Sequence, residues 1–179
     1  RWRDVESALA RALQLNPHNA DARHWLAMTM LTAFGDQAAA LREQTITARL
    51  DPVCAIQVGT LGWLRYLRGE FELSRSEMEP TVDLNADLEE AHAGLARAAA
   101  RLGDEAGVTR AIAAGLTRRA DLRGDLLAEQ ASALAVMGDV RRATCLAHQA
   151  CAIGGMPINL AFAWAGVGDA DRAFACLAR

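Results

Sequence analysis

Apolar residues recur along this chain with the period of an α-helix, almost from end to end. In residues 2–15, for example, Val5, Leu9, Ala12 and Leu15 follow one another every three or four positions, which places them on one helical face. Ala, Leu, Glu and Arg dominate the segments between turns, and proline stays close to the junctions. We therefore predict an all-α protein of eleven helices without β-sheet.

A glycine followed by an acidic residue divides the helices at nearly constant spacing, with 34, 34, 35 and 30 residues between successive copies. These pairs are Gly35-Asp36, Gly69-Glu70, Gly103-Asp104, Gly138-Asp139 and Gly168-Asp169. Seven residues before the glycine stands a small residue in four of the five copies, namely Gly62, Ala96, Ala131 and Ala161. A fixed period of this length is typical of stacked helical hairpins. The glycine should end each first helix in a left-handed conformation, and the acid should cap the second helix.

The register predicts five hairpins over residues 21–52, 55–86, 89–120, 122–155 and 157–179. Residues 2–15 match only the second helix of a preceding hairpin, so we interpret the chain as one array taken from a larger protein. The last spacing is short by about one helical turn, which predicts a truncated first helix that starts near Pro157. Pro80 falls inside a predicted second helix and should kink or shorten it.

Composition and charge bear on the source of the protein and on its cellular compartment. All 19 basic residues are Arg, which favours a GC-rich bacterial source. The net charge is −3, which gives no general attraction to nucleic acid or to an acidic membrane. No apolar run approaches the ~20 residues that cross a bilayer, and no signal peptide is recognisable. The four cysteines match no disulfide framework, so we expect free thiols in a cytoplasmic protein.

These anchors resemble the tetratricopeptide repeat (TPR) family over essentially the whole chain. The resemblance rests on Leu61-Gly62, Ala143, Ala150 and the closures Asn16-Pro17 and Asp51-Pro52. It implies a right-handed superhelical solenoid whose first helices line a concave face. Two features depart from the family pattern: Gln44 stands where a large apolar residue is usual, and the last repeat is short.

Two segments also resemble one subgroup of the family. Asn16-Pro17 followed by His24-Trp25-Leu26-Ala27 is similar to its Asn-Pro…His-Trp-Tyr-Ala stretch, and the segment 162–174 is similar to its terminal Leu-Gly-Asp-x-Asp-Arg-Ala-Phe motif. Such arrays lie at the C-terminal end of bacterial transcription regulators, adenylyl cyclases and kinases. The resemblance therefore implies a regulatory or signalling context.

In this architecture the concave face is formed by residues ten, six, three and two positions before each turn glycine. From that set we predict partner-binding residues Trp25, Thr29, Trp63, Tyr66, Arg97, Arg101, Ser132 and Phe162. Ile158 and Leu67 occupy equivalent positions. Aromatic anchors beside two arginines suit an extended peptide or an anionic group. The alternative is that the aromatic side chains only pack between helices.

The two arginines have an alternative of their own. Arg97 and Arg101 are four residues apart on one helical face, where they could form a solvated surface that pairs with Glu90 or Glu105. On that reading their removal should leave stability unchanged. The family's capture of a partner's terminal carboxylate uses Lys and Asn on these walls, and this chain has neither at those positions.

The sequence gives little support for a metal site or for catalysis. Cys145, His148 and Cys151 read C-x2-H-x2-C, but Cys151 points away from the other two on a helix, so we expect no metal site. His24 and His92 occupy equivalent repeat positions, which favours a framework role. The glycine-acid pairs are turns rather than phosphate loops, and no nucleophile elbow occurs, so we expect neither catalysis nor a cofactor.

The sequence therefore predicts a protein-interaction or sensory module that binds a protein or peptide and contacts neither nucleic acid nor membrane. The alternative is an oligomerisation scaffold. In that case the array ends would self-associate, partly through the exposed face of Val5, Leu9 and Leu13.

Overall fold

The repeated glycine-acid pairs divide the chain into short amphipathic helices. A computed structural model describes residues 1–178, and these form eleven α-helices and one 3₁₀ turn without a β-strand. The first five are α1 (Trp2–Leu15), α2 (Ala20–Phe34), α3 (Gln37–Leu50), α4 (Ala55–Leu67) and α5 (Phe71–Leu84). The rest are α6 (Glu89–Arg101), α7 (Glu105–Arg118), the 3₁₀ turn Ala120–Leu122, α8 (Arg123–Val136), α9 (Val140–Ile153), α10 (Pro157–Gly166) and α11 (Ala170–Leu177). The prediction of eleven helices is confirmed for the described residues, and the predicted end of the last hairpin at 179 lies outside them.

Each turn glycine adopts the left-handed conformation that the register requires. The φ angles of the five glycines lie between 68° and 89°, a region that costs other residues more. Four of the following acids cap the next helix: Asp36, Asp104, Asp139 and Asp169 accept the backbone N–H three residues later at 2.7–3.0 Å. These side-chain bonds satisfy N–H groups that have no partner within the helix.

The fifth acid, Glu70, has a different role. Its carboxylate pairs with Arg65 at 2.6 Å and with Arg68 at 2.9 Å, so it ties the end of α4 to the start of α5. The hydrogen bond from Arg68, followed by that from Arg65, holds the pKa of Glu70 below its ordinary value.

Small residues allow the two helices of a hairpin to approach closely. A Cβ placed on Gly62 would lie 2.9 Å from Cγ of Met78 and 3.2 Å from the Ser74 carbonyl oxygen. The corresponding Ala96 and Ala131 are fully buried. Five residues after each turn glycine the side chain is buried in every copy: Ala40, Ser74, Val108, Ala143 and Ala173. The small residues seven positions before the turn glycine thus lie at buried positions where the hairpin helices meet.

The two proline expectations had different outcomes. Pro157 occupies the first turn of α10, which has 10 residues where the other first helices have 13–15, so the truncated helix is confirmed. Of the two effects expected of Pro80, shortening does not occur, because α5 keeps 14 residues with Pro80 inside it; the kink stays a prediction. Pro80 and Ser76, whose carbonyl loses its helical partner, are both exposed, so water can replace the missing hydrogen bond.

The contacts divide the chain into two compact units, Arg1–Leu84 and the residues from Asn85 onward. In the first unit α1 packs on α2, α2 pairs with α3, α3 contacts α4, and α4 pairs with α5. In the second unit α8 packs against both helices of the α6–α7 hairpin, and α10 packs against both helices of the α8–α9 hairpin.

The second unit contains a cap shared between hairpins. Oδ1 of Asp125 on α8 accepts the backbone N–H of Met156 at 2.6 Å and the side-chain amide of Asn159 at 3.1 Å, both at the start of α10. Next to it the backbones of Gly124 and Gly155 almost touch, since a Cβ on Gly124 would lie 2.6 Å from the Gly155 nitrogen. The start of α10 is thereby fixed by the preceding hairpin.

Candidate partner-binding surface

The predicted aromatic residues of the first unit differ in exposure. Trp25 on α2 is 60% exposed and meets the ring of His24 edge-on, with centroids 5.4 Å apart. Trp63 and Tyr66 on α4 are half-buried, and the Tyr66 ring lies 5.6 Å from that of Phe71. Trp25 is therefore the aromatic side chain of this set that presents most of its surface to a partner.

A buried polar network ties α2, the helix that carries Trp25, to α3 and α4. Gln44 on α3 is fully buried; its Nε2 donates to the carbonyl of Gln57 at 2.7 Å, and its Oε1 faces Nδ1 of His24 at 3.2 Å. Nε2 of Gln57 on α4 donates in turn to Asp21 on α2 at 3.0 Å. Gln44, which departs from the family pattern, therefore links α2, α3 and α4.

The hydroxyl protons of Thr29 and Ser132 are already donated to backbone carbonyls. The Thr29 hydroxyl donates to the Trp25 carbonyl at 2.8 Å, and that of Ser132 donates to the Ala128 carbonyl at 3.0 Å. Thr29 is also only 6% exposed. The structure thus places Thr29 among the packed residues, while Ser132 remains partly accessible.

Arg97 in the second unit carries an ion pair that the sequence interpretation did not include. Its Nε donates to Oε2 of Glu129 on α8 at 2.8 Å, and its Nη2 contacts the other carboxylate oxygen. The Glu129 side chain is only 4% exposed, whereas that of Arg97 is 35% exposed. The sequence interpretation suggested pairing with Glu90 or Glu105, and the structure shows a two-point bond from Arg97 to Glu129 on a neighbouring first helix. Because Arg97 is not a solvated surface arginine, its removal should destabilise the second unit.

Several carboxylates surround this ion pair. Glu89 and Glu90 begin α6, and Asp125 lies one turn before Glu129 on α8. Partial burial, followed by the negative charges of Glu90, Glu129 and Asp125, raises the pKa of Glu89 to about 7, against a smaller opposing effect of Arg97. The positive charge of Arg97 is thus offset by Glu129 and by further acids of the same unit.

Phe162 and Ile158 border an apolar groove on the α10–α11 hairpin. They are 59% and 45% exposed, and the groove has a volume of about 310 Å³. Phe174 and Leu177 of α11 line its other side and are 72% and 54% exposed.

Arg101, the remaining predicted residue, is exposed at the end of α6.

The C-x2-H-x2-C segment does not bring its three residues to one point. Cys145 is exposed and accepts a contact from Gln149 at 3.5 Å, whereas His148 and Cys151 lie beside Trp164. The indole N–H of Trp164 donates to Sγ of Cys151 at 3.3 Å. Within residues 1–178 no group of three or more His, Cys, Asp or Glu side chains is arranged to hold a metal ion.

Sequence reasoning missed the acidic partner of Arg97, although a signal for it exists. Arg97 lies six residues before its turn glycine and Glu129 lies nine residues before the next one. First helices of adjacent hairpins are neighbours, so opposite charges at these two offsets indicate an ion pair between repeats. His92, by contrast, is buried as a framework residue would be and hydrogen-bonds the Ala86 carbonyl at 2.8 Å.

Comparison with known proteins identifies the fold. No family model matches the sequence, and no curated protein matches it significantly. A TPR protein from Parabacteroides merdae is similar in structure with a TM-score of 0.79 and 15% identity, over 99% of this chain and 70% of that one. Pseudomonas aeruginosa PilF gives a TM-score of 0.69 with 18% identity, over 97% of this chain and 81% of that one.

YrrB, described as a TPR protein with an unusual peptide-binding site, gives a TM-score of 0.63 with 13% identity, over 96% of this chain and 89% of that one. At these identities the likeness concerns the fold. None of the described helices is long and apolar enough to cross a membrane. The chain has the all-α fold of a TPR solenoid.

Proposed function

We propose that this chain is a non-catalytic interaction module that binds a protein or peptide segment through the first helices of its hairpins. The observation that carries the proposal is Trp25, a large aromatic side chain that stays 60% exposed on a first helix. Exposed aromatic residues on a rigid support are the usual anchors of protein interfaces.

The contacts around Trp25 favour a preformed site. The network of Gln44, Gln57, His24 and Asp21 fixes α2 against α3 and α4, so little ordering entropy is lost when a partner binds. Ile56 on α4 is a second exposed apolar side chain of this unit, at 59%. Trp63 and Tyr66, on the next first helix, are half-buried and keep part of their surface accessible to a partner.

The predicted residues of the second unit form a separate set. Ser132, Arg101, Phe162 and the ion-paired Arg97 would contact the partner from their own unit. Because Glu129 and its neighbours offset the charge of Arg97, selection of an anionic group by this wall is not included in the proposed function.

A peptide selection tests the proposal. Random peptides displayed on phage are selected on the immobilised chain, and the affinity of a selected peptide is measured by calorimetry. Trp25→Ala should weaken binding at least about tenfold with an unchanged melting temperature, since the side chain is largely exposed. Leu15→Ala is the matched control, because Leu15 is 72% exposed in the same unit but lies outside the predicted wall. Equal affinity of the Trp25 variant and the parent would contradict the proposal.

The wider context is also proposed. The subgroup resemblance of residues 16–27 and 162–174 supports a bacterial regulatory or signalling protein in the cytoplasm, and the free cysteines of the structure are compatible with that compartment. The complete reading frame tests this: a DNA-binding, cyclase or kinase domain supports it, and a secretion signal contradicts it.

A further inference from the structure

Trp25 stands at the repeat position that alanine occupies in α6 and α8, ten residues before the turn glycine. Those alanines, Ala93 and Ala128, are 1% and 0% exposed, and in both cases the first helix of the next hairpin packs against the helix that carries them. In the first unit α4 packs against α3 instead, and Trp25 stays 60% exposed. The indole is therefore accessible although the next hairpin is present beside it.

Asp21 lies one helical turn before Trp25 on α2, so the two side chains share a face of that helix. Long side chains on a helix point back toward its N-terminus, which brings the indole over the turn that carries Asp21. Nε2 of Gln57, a residue that is only 3% exposed, donates to Oδ1 of Asp21 at 3.0 Å. This bond holds an exposed carboxylate beside an exposed indole.

The charge of Asp21 is not matched by its basic neighbour on α2. Arg23 pairs through Nη1 with Glu43 at 2.7 Å, and its Nε and Nη2 donate to the Pro17 carbonyl at 3.1 and 2.9 Å. Within residues 1–178 Asp21 forms no ion pair. The carboxylate is therefore left for a cation from outside the described chain.

An indole and a carboxylate on one helical face select a cation. Tryptophan attracts cations more strongly than the other aromatic side chains, and a carboxylate accepts strong hydrogen bonds from an ammonium or guanidinium group. In a peptide these groups belong to lysine and arginine, whose methylene stems can also pack against the indole. An acidic side chain at this place would meet the carboxylate as a like charge.

We propose that Trp25 and Asp21 form a cation subsite that takes a lysine or arginine side chain of the partner. This inference rests on the proposed function, since it names the chemistry that the partner presents to Trp25. The cationic head bonds to Asp21, and the stem lies on the indole. The bonds from Gln57 to Asp21 and from Gln44 to the Gln57 carbonyl fix the subsite before the partner arrives.

Peptides selected on the immobilised chain are the probe for this subsite. Those that lose affinity for Trp25→Ala should share a lysine or arginine at one position. Replacement of that residue, arginine by citrulline or lysine by norleucine, removes the charge and should weaken calorimetric binding at least about tenfold. Asp21→Asn should weaken binding of the charged peptide about fivefold, because asparagine still accepts the bond from Gln57 but carries no charge. The uncharged peptide should bind the parent and Asp21→Asn equally, since the interaction between the two charges is then absent.

Asp83→Asn is the matched control, because Asp83 is an exposed aspartate of the same unit on the second helix α5. It should bind the charged peptide like the parent, and circular dichroism confirms that each variant is folded. Trp25-dependent peptides that share no basic residue overturn the inference and leave the proposed function standing. So does an uncharged peptide that binds as tightly as the charged one, or an Asp21→Asn variant with parental affinity. If no selected peptide depends on Trp25, the proposed function fails and the cation subsite fails with it.

Discussion

Replacement of Arg97 by methionine tests whether the ion pair with Glu129 stabilises the second unit. Methionine keeps most of the apolar stem of Arg97 but leaves the carboxylate of Glu129, which is 4% exposed, without its partner. Removing one member of a buried pair costs about 3–5 kcal/mol. Because the Arg97 side chain is 35% exposed, water can partly solvate the remaining carboxylate, and we expect a loss of about 2 kcal/mol.

Urea unfolding at pH 7 measures this loss as a shift of the midpoint at constant slope. Arg110→Met is the control. Arg110 pairs with Asp104 at 3.6 Å, but its side chain is 71% exposed. Loss of this pair should therefore change stability by less than about 1 kcal/mol. Arg97→Met combined with Glu129→Met should recover most of the lost stability, since no unpaired charge remains. A single variant as stable as the parent, or a double variant no better than the single one, would refute the reasoning.

Two further substitutions test the packing and the electrostatics. Gly62→Leu should destabilise the first unit by about 1–3 kcal/mol or more, because its Cβ would lie 2.9 Å from Met78; an unchanged melting temperature would show that the close contact is absent. Glu89→Gln should raise stability at pH 8 by about 1–2 kcal/mol, allowing for solvent screening, and change it little at pH 5. The sign follows from the raised pKa of about 7 for Glu89: the folded state holds the proton more tightly than the unfolded state, so stability falls as pH rises from about 4.5 through 7. Urea unfolding of the variant and the parent at both pH values measures this. The same difference in unfolding free energy at pH 5 and at pH 8 would contradict the reasoning.

The repeated register was sufficient to predict most of the fold. A glycine with positive φ, a capping acid and small residues at fixed offsets act locally, so a single sequence reveals them. The truncated α10 followed in the same way from the spacing of 30 residues before Gly168. Pro80 does not shorten α5 as one alternative expected, because the local rule assigns a cost to the missing hydrogen bond without knowing that the site faces solvent.

The candidate surface was less predictable, for a different reason. Offsets from the turn glycine give the face on which a residue lies, but they do not give its partner. Arg97 was assigned to the correct helix, yet its bond to Glu129 spans 32 residues and depends on how α6 lies against α8. Thr29 shows the same limit, since its burial depends on the helices that cover it.

The junction at α10 has a consequence for the exchange of repeats. Gly124 and Asp125 belong to one hairpin, whereas the backbone they accommodate, at Gly155 and Met156, precedes the next. A hairpin inserted or substituted at this boundary would need to supply both halves of the contact. Duplication or engineering of this array should therefore treat residues 123–177 as one module of two hairpins, because a single hairpin cut at 155 would separate the cap from the helix it caps.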